Sequence, residues 1–192
     1  MPMFPSRRSA AVFLVTLWLA LARGPALAAG PDPIPPGQRG IVGQLWDTVT
    51  DEQAWAGDGH WRLVIAPTAL HFHYSEEHRH VWAIGVERER ADHWLAGISY
   101  FSNSFGQPSA YAYLGRRFDG VLGSLPQLYA QGSVGVLYGY KGKYKNKVPL
   151  NVGGFSPGAL IGMGWQFTPS VGVALHLLGD AGVMLQFGWD FP

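Results

Sequence analysis

The last strand-like stretch, Val183 to Phe191, alternates. Val183, Leu185, Phe187, Trp189 and Phe191 are apolar, and Gln186, Gly188 and Asp190 between them are small or polar. A period of two with one greasy face is the pattern of a β-strand lying against an apolar medium. Soluble proteins seldom leave such an edge exposed. From Trp61 onward the chain divides at turn signals into eight such segments, roughly 61–72, 81–90, 93–102, 110–118, 125–139, 150–167, 171–178 and 181–191. Trp82, Ile84 and Val86, and again Trp94, Ala96, Ile98 and Tyr100, repeat the alternation. Most segments reach the roughly 9–11 residues that a transmembrane strand requires. The pattern predicts an all-β fold, an eight-stranded antiparallel transmembrane β-barrel. At that size side chains nearly fill the interior. Inward positions here are often Ala, Gly or Leu, which predicts an apolar interior with room for one small ligand rather than a water channel.

Ahead of the barrel the spacing changes. Ile41, Leu45 and Val49 recur at helical intervals, with Gln44, Asp47, Asp51 and Glu52 on the other side. This predicts a short amphipathic helix over 41–55, with Trp46 and Trp55 suited to a membrane interface. Further upstream, Arg7 and Arg8 precede an apolar run from Ala10 to Ala22, and Ala26-Leu27-Ala28 offers a small-x-small cleavage site. That is the plan of a secretion signal, and its apolar run is too short for a membrane helix. The expected organisation is a signal peptide at 1–28, a linker and periplasmic helix at 29–60, and a barrel at 61–192. The expected location is the outer membrane of a Gram-negative cell.

Cleavage changes the charge. Losing Arg7, Arg8 and Arg23 leaves 11 basic residues against 13 acidic, a net charge of −2. No general attraction to nucleic acid follows. Cysteine is absent, which excludes disulfides and a thiol nucleophile.

With the helix and the carboxyl end both periplasmic, the outward loops are His71–His80, Ser102–Ser109, Tyr140–Pro149 and the tight Leu178–Ala181 link. Polar chemistry concentrates in the first three. His71 closes the first strand, and Asn103 and Ser104 close the third. A histidine, a hydroxyl and an amide at one rim suit acyl transfer. The imidazole takes a proton, and Ser or Asn donates to a developing oxyanion. His71, His73, His78 and His80 with Glu76 and Glu77 also raise a metal reading, but the helical HExxH pattern is missing. No metal and no cofactor is expected. Lys141, Lys143, Lys145 and Lys147 form a basic loop that is either solvated or a phosphate contact. Pro67, Pro149 and Pro157, in or beside strands, mark breaks in the hydrogen-bond ladder where a lipid chain could enter sideways.

These features together resemble the PagP family of lipid A palmitoyltransferases. The resemblance rests on the N-terminal helix, Ile65-Ala66-Pro67 leading to a histidine, and Phe101-Ser102-Asn103-Ser104-Phe105 with Pro108 downstream. Val148-Pro149-Leu150 is similar to the family's proline at the start of its sixth strand. The resemblance implies transfer of a palmitoyl chain from a phospholipid donor to lipid A in the outer membrane by a monomer. It implies His71, Asn103 and Ser104 as catalytic residues, and an acyl-measuring pocket inside the barrel. Two departures stand out. Asn103 replaces the family's aspartate, so it can donate to an oxyanion or hold Ser104 but cannot act as a base. The histidine stands one residue nearer Pro67 than in the family, which makes His73 the alternative. Two other readings stay open: a lipid A deacylase or lipid hydrolase with Ser104 as nucleophile and Glu76 or Glu77 as partner acid, and a non-enzymatic small barrel.

Overall fold

The computed structural model describes residues 41–192; the expected signal peptide and the linker before Ile41 lie outside the described residues. The helical segment and the barrel are separate compact units that divide at Asp58/Gly59. The helical unit holds α1 (Ile41–Thr50) and α2 (Glu52–Ala56), two helices where the spacing predicted one. The break falls at Asp51, whose extended backbone and side chain cap α2 by accepting the Ala54 N–H at 3.1 Å. Trp46 is exposed. Trp55 differs: it is buried, and its indole N–H donates to the Val49 carbonyl at 2.7 Å.

The second unit is a closed antiparallel barrel of eight strands, each paired with its neighbours in sequence and the last with the first. The strands are β1 (Gly59–His71), β2 (Trp82–Arg90), β3 (Trp94–Ser102), β4 (Pro108–Asp119), β5 (Leu128–Tyr138), β6 (Phe155–Thr168), β7 (Val171–Leu177) and β8 (Gly182–Phe191). Closure removes every sheet edge, and a span through hydrocarbon requires that. The sixth strand starts at Phe155 rather than near residue 150, because the chain turns at Leu150, with φ 51°, and again between Val152 and Phe155, whose backbone groups pair across Gly153 and Gly154. Pro149 therefore lies in a loop.

The alternation is realised strand by strand. In β8, Phe187, Trp189 and Phe191 face outward, and Ile84, Ile98, Val134, Ile161 and Leu175 do so on other strands; all are exposed. This belt belongs against lipid. At one end of the barrel, outward arginines lie over aromatic rings, Arg88 over Trp61 and Arg116 over Trp94 and Phe118, as at a membrane–water interface.

The interior departs from the apolar lumen expected from sequence. Leu95, Tyr111 and Tyr113 form a buried cluster with Phe101, Leu137 and Leu160 packed on it. Tyr113 lies over Gly97, where a Cβ would strike the ring. The other part is ionic. Arg62 reaches Asp190 at 2.5 Å, Glu89 at 3.0 Å and Glu87 at 3.5 Å, and the Tyr113 hydroxyl donates to Glu87 at 2.8 Å. Arg62 is 4% exposed and Glu87 1%. Register explains the cluster, since Arg62 lies directly opposite Glu87 on β2 and Asp190 on β8.

Removing one member of such a buried set strands the others. Arg62→Ala is expected to lower the unfolding free energy by about 3–5 kcal/mol. Urea titration of tryptophan fluorescence in detergent micelles measures this, and an unchanged midpoint would contradict it.

Candidate functional site

The site begins with a misfit in β1. Between Ile65 and Thr68 the β1–β8 register slips, because three steps along β1 match two along β8. Pro67 sits in this bulge, where a residue without an N–H does least harm. One extra residue reverses the parity of everything beyond it. Below the bulge the buried positions are Arg62, Val64 and Ala66; above it they are Ala69 and then the partly buried His71. Leu70 and Phe72 are exposed instead.

His71 thereby turns toward the third strand's end. Its Nε2 lies 2.7 Å from the Ser104 Oγ. Three loops converge there. The Arg79 N–H donates to the Ser104 carbonyl at 2.8 Å, joining the first loop to the second. Gln107 joins the second loop to the third, donating to the Lys141 carbonyl at 3.3 Å and accepting the Lys141 N–H at 3.2 Å. Lys143 joins the third to the first through Glu77, at 2.6 Å. That pairing holds the Glu77 carboxyl below its ordinary range and raises the Lys143 ammonium. His78 stacks on His71 with ring centres 4.0 Å apart, and Phe105 stacks on Tyr144 at 4.1 Å.

Asn103 is 1% exposed and belongs to the turn itself. Its Oδ1 accepts the N–H groups of Phe105 at 2.9 Å and Gln107 at 3.1 Å, and its Nδ2 donates to Ser109 at 3.1 Å. Gly106, at φ 75°, closes the turn with an N–H bond to the Asn103 carbonyl at 2.9 Å. The amide thus holds the turn that carries Ser104. His73 is exposed, on the loop beyond the strand. The fourfold histidine cluster divides: His71 and His78 stack, and among the described residues no three histidine or acid side chains gather as metal ligands.

Sequence reasoning missed Tyr140. This residue is partly buried at the start of the third loop, and burial pushes its phenol up. Its ring meets Phe105 edge-on at 6.2 Å, and Asn151 Nδ2 donates to its carbonyl at 2.9 Å. Nothing in the local sequence marks Tyr140, since its ring meets Phe105 only through the convergence of the loops.

The wall is incomplete near this site. The β1–β2 register ends at Ala66↔Ala83, although β1 continues to His71. The β6–β7 register begins only at Ile161↔Leu177, so the Pro157 end of β6 has no β7 partner. Beneath the first gap, Leu63, Ile84, Val86, Ile98, Tyr100 and Ala110 line an outward furrow of about 440 Å³.

No family model and no curated protein matches this chain. Among solved structures it is similar to a de novo designed transmembrane β-barrel, with 11% identity and a TM-score of 0.51 over 70% of this chain and 98% of that one. The outer membrane protein Ail of Yersinia pestis also aligns. Its crystal structure with the heparin analogue sucrose octasulfate gives 13% identity and a TM-score of 0.35 over 69% of this chain and 97% of that one. Its backbone structure in a phospholipid bilayer nanodisc gives 15% and 0.36 over 70% and 100%. The closed sheet and its outward apolar belt define an eight-stranded transmembrane β-barrel.

Asn103 generates a local test. Asn103→Ala is expected to cost about 1–3 kcal/mol, because buried N–H groups lose their acceptor, and to open Phe105 to chymotrypsin. Asn103→Asp keeps an acceptor for Phe105 and Gln107 and should resist cleavage like wild type. Equal resistance in all three proteins would show that the amide does not hold the turn.

Proposed function

We propose that this barrel is an outer-membrane acyltransferase that moves a long acyl chain, palmitoyl in the family it resembles, from a phospholipid to lipid A. The observation that carries the reading is the 2.7 Å contact between His71 Nε2 and Ser104 Oγ. The pair closes the two strands whose sequences, Ile65-Ala66-Pro67 to His71 and Phe101 to Phe105, resemble the PagP family. A base and a hydroxyl in contact at the rim of a membrane barrel suit chemistry on a lipid ester.

Three further features support a lipid substrate. The gap above Ala66 and Ala83 gives a chain from the surrounding bilayer a lateral way toward His71. The furrow below it is apolar throughout its lining side chains apart from Ser99 and the Tyr100 hydroxyl. Trp82 and Tyr100, an exposed edge-to-face pair at 5.8 Å, mark the headgroup level on the same wall. Lys145 and Lys147, beside the site and outside the Glu77–Lys143 pair, suit the phosphates of the acceptor. A deacylase would want an acid behind His71, but Glu77 is held by Lys143 and, among the described residues, neither Glu76 nor any other acid pairs with His71.

Mass spectrometry of lipid A from cells with and without the gene tests the reading. One added acyl chain is expected. A missing chain would indicate a deacylase, and no change would favour a non-enzymatic barrel. His71→Ala should reduce transfer about 10²–10⁴-fold, the usual cost of removing a general base. Ser104→Ala should do so comparably, with the barrel still folded. His73→Ala should transfer like wild type; its loss with His71→Ala unaffected would move the base to His73.

A further inference from the structure

The third outward loop carries an exposed apolar tip. Leu150 and Val152 are 81% and 78% exposed, and Phe155, which opens β6, is 56% exposed. A single exposed leucine is ordinary, but three large apolar side chains within six residues make a patch, and such patches mark contacts with membranes or other molecules. From the geometry of this tip and its lysines we infer that residues 141–155 form a docking surface for lipopolysaccharide of the outer leaflet. Its acyl region lies on Leu150 and Val152, and its lipid A phosphates meet the lysines. The inference shares its ligand with the proposed acceptor but does not need acyl transfer to occur.

The tip is firmly held. Leu150 sits at φ 51°, a left-handed conformation that costs a leucine energy and persists only where its surroundings fix it. Asn151 fixes one side: its Nδ2 donates to the Tyr140 carbonyl at 2.9 Å, and its Oδ1 accepts the Gly154 N–H at 3.0 Å. Val152 and Phe155 exchange backbone bonds of 2.8 and 3.0 Å across Gly153 and Gly154. The hydroxyl of buried Ser156 donates to the Pro149 carbonyl. Strain held in place beneath exposed apolar side chains points to a use for that exposure.

Position and charge identify the occupant. Tyr100, Tyr138 and Phe155 share one register row through Ala110, and the Tyr138 and Phe155 rings meet at 4.7 Å. With Trp82 against Tyr100, they make an aromatic girdle of the kind that lies at headgroup level. Leu150 and Val152 precede Phe155, on the loop side of that row. Between Tyr140 and Gly154 stand four lysines and no acid. Lys143 pairs with Glu77; among the described residues Lys141, Lys145 and Lys147 form no ion pair. Rings hold two of these three. Lys141 Nζ lies 4.3 Å from the centre of the Tyr138 ring, the ring that meets Phe155, and Lys147 Nζ lies 5.6 Å from that of Phe105. A matching ligand brings apolar chains to the girdle and more than one phosphate to the separated lysines. Lipid A, a bisphosphorylated disaccharide with several acyl chains, meets both demands, whereas a diacyl phospholipid brings a single phosphate.

The test titrates the full-length mature protein in detergent micelles with purified lipid A and counts bound lipid by native mass spectrometry. Wild type should prefer bisphosphorylated to monophosphorylated lipid A, and both to phosphatidylglycerol. Glycine suits the left-handed backbone at position 150, so Leu150→Gly combined with Val152→Ser should keep the fold yet weaken lipid A binding about tenfold. Lys141→Gln should weaken it about fivefold and narrow the preference for the second phosphate. Wild-type affinity in either variant, or phosphatidylglycerol bound as tightly as lipid A, would overturn the inference. Lipid A bound as expected but never acylated would overturn the acyltransferase reading alone.

Discussion

The structure depends on one seam, where β8 meets β1. An eight-stranded sheet inside a bilayer is viable only if its first and last strands pair, since an open edge in hydrocarbon leaves backbone groups without partners. Arg62 on β1 and Asp190 on β8 face each other across that seam, 2.5 Å apart, inside the barrel. Glu87 and Glu89 on β2 complete the cluster from the other side of β1. Burying a guanidinium among acidic side chains is costly unless they face one another, so the cluster forms in one register and not in a register slipped by one residue. It therefore acts as a key for closure as well as a source of stability.

The same seam carries the irregularity that makes a site. A strand paired regularly from Gly59 to His71 would put His71 on the lipid side, given that Arg62 and Val64 face inward. The bulge at Pro67 shifts the parity, and His71 meets Ser104 instead. The bulge lies next to the point where β1 parts from β2, so the residue that aims the histidine also sits at the opening in the wall. Site geometry and the gap in the wall thus share a local cause, a proline with no N–H to give to the ladder. On the facing strand, rigidity comes from Asn103, which ties down three amide groups of the turn around Ser104 through its side chain and carbonyl.

Much of this was legible in the sequence. The β8 alternation and its repeats along the chain predicted the eight strands, because lipid on one side enforces a period of two. His71 and Ser104 stood out as polar groups at strand ends facing the same side. Other features depend on which residues lie opposite one another, and a linear sequence does not display that. Arg62, Glu87, Glu89 and Asp190 come from three strands and look like scattered charges until the register aligns them. Tyr140 is 35 residues from Phe105, whose ring it meets. Asn103 was visible, but its orientation was not: an amide at a rim can face the lumen or its own turn, and here the turn takes it. The inward-facing Ala and Gly residues were read as an apolar pocket, yet Gly97 makes room for Tyr113.

The central claim is that the Pro67 bulge delivers His71, among the neighbouring histidines, to Ser104. Nitrogen-15 NMR of histidine-labelled protein in detergent micelles tests it directly. The account predicts that Ser104→Ala shifts the Nε2 resonance of His71 and leaves that of exposed His73 in place, while deleting Pro67 makes the His71 signal resemble that of a solvent- or lipid-facing ring. A His71 resonance indifferent to both changes, or a response at His73 in its stead, would contradict the account.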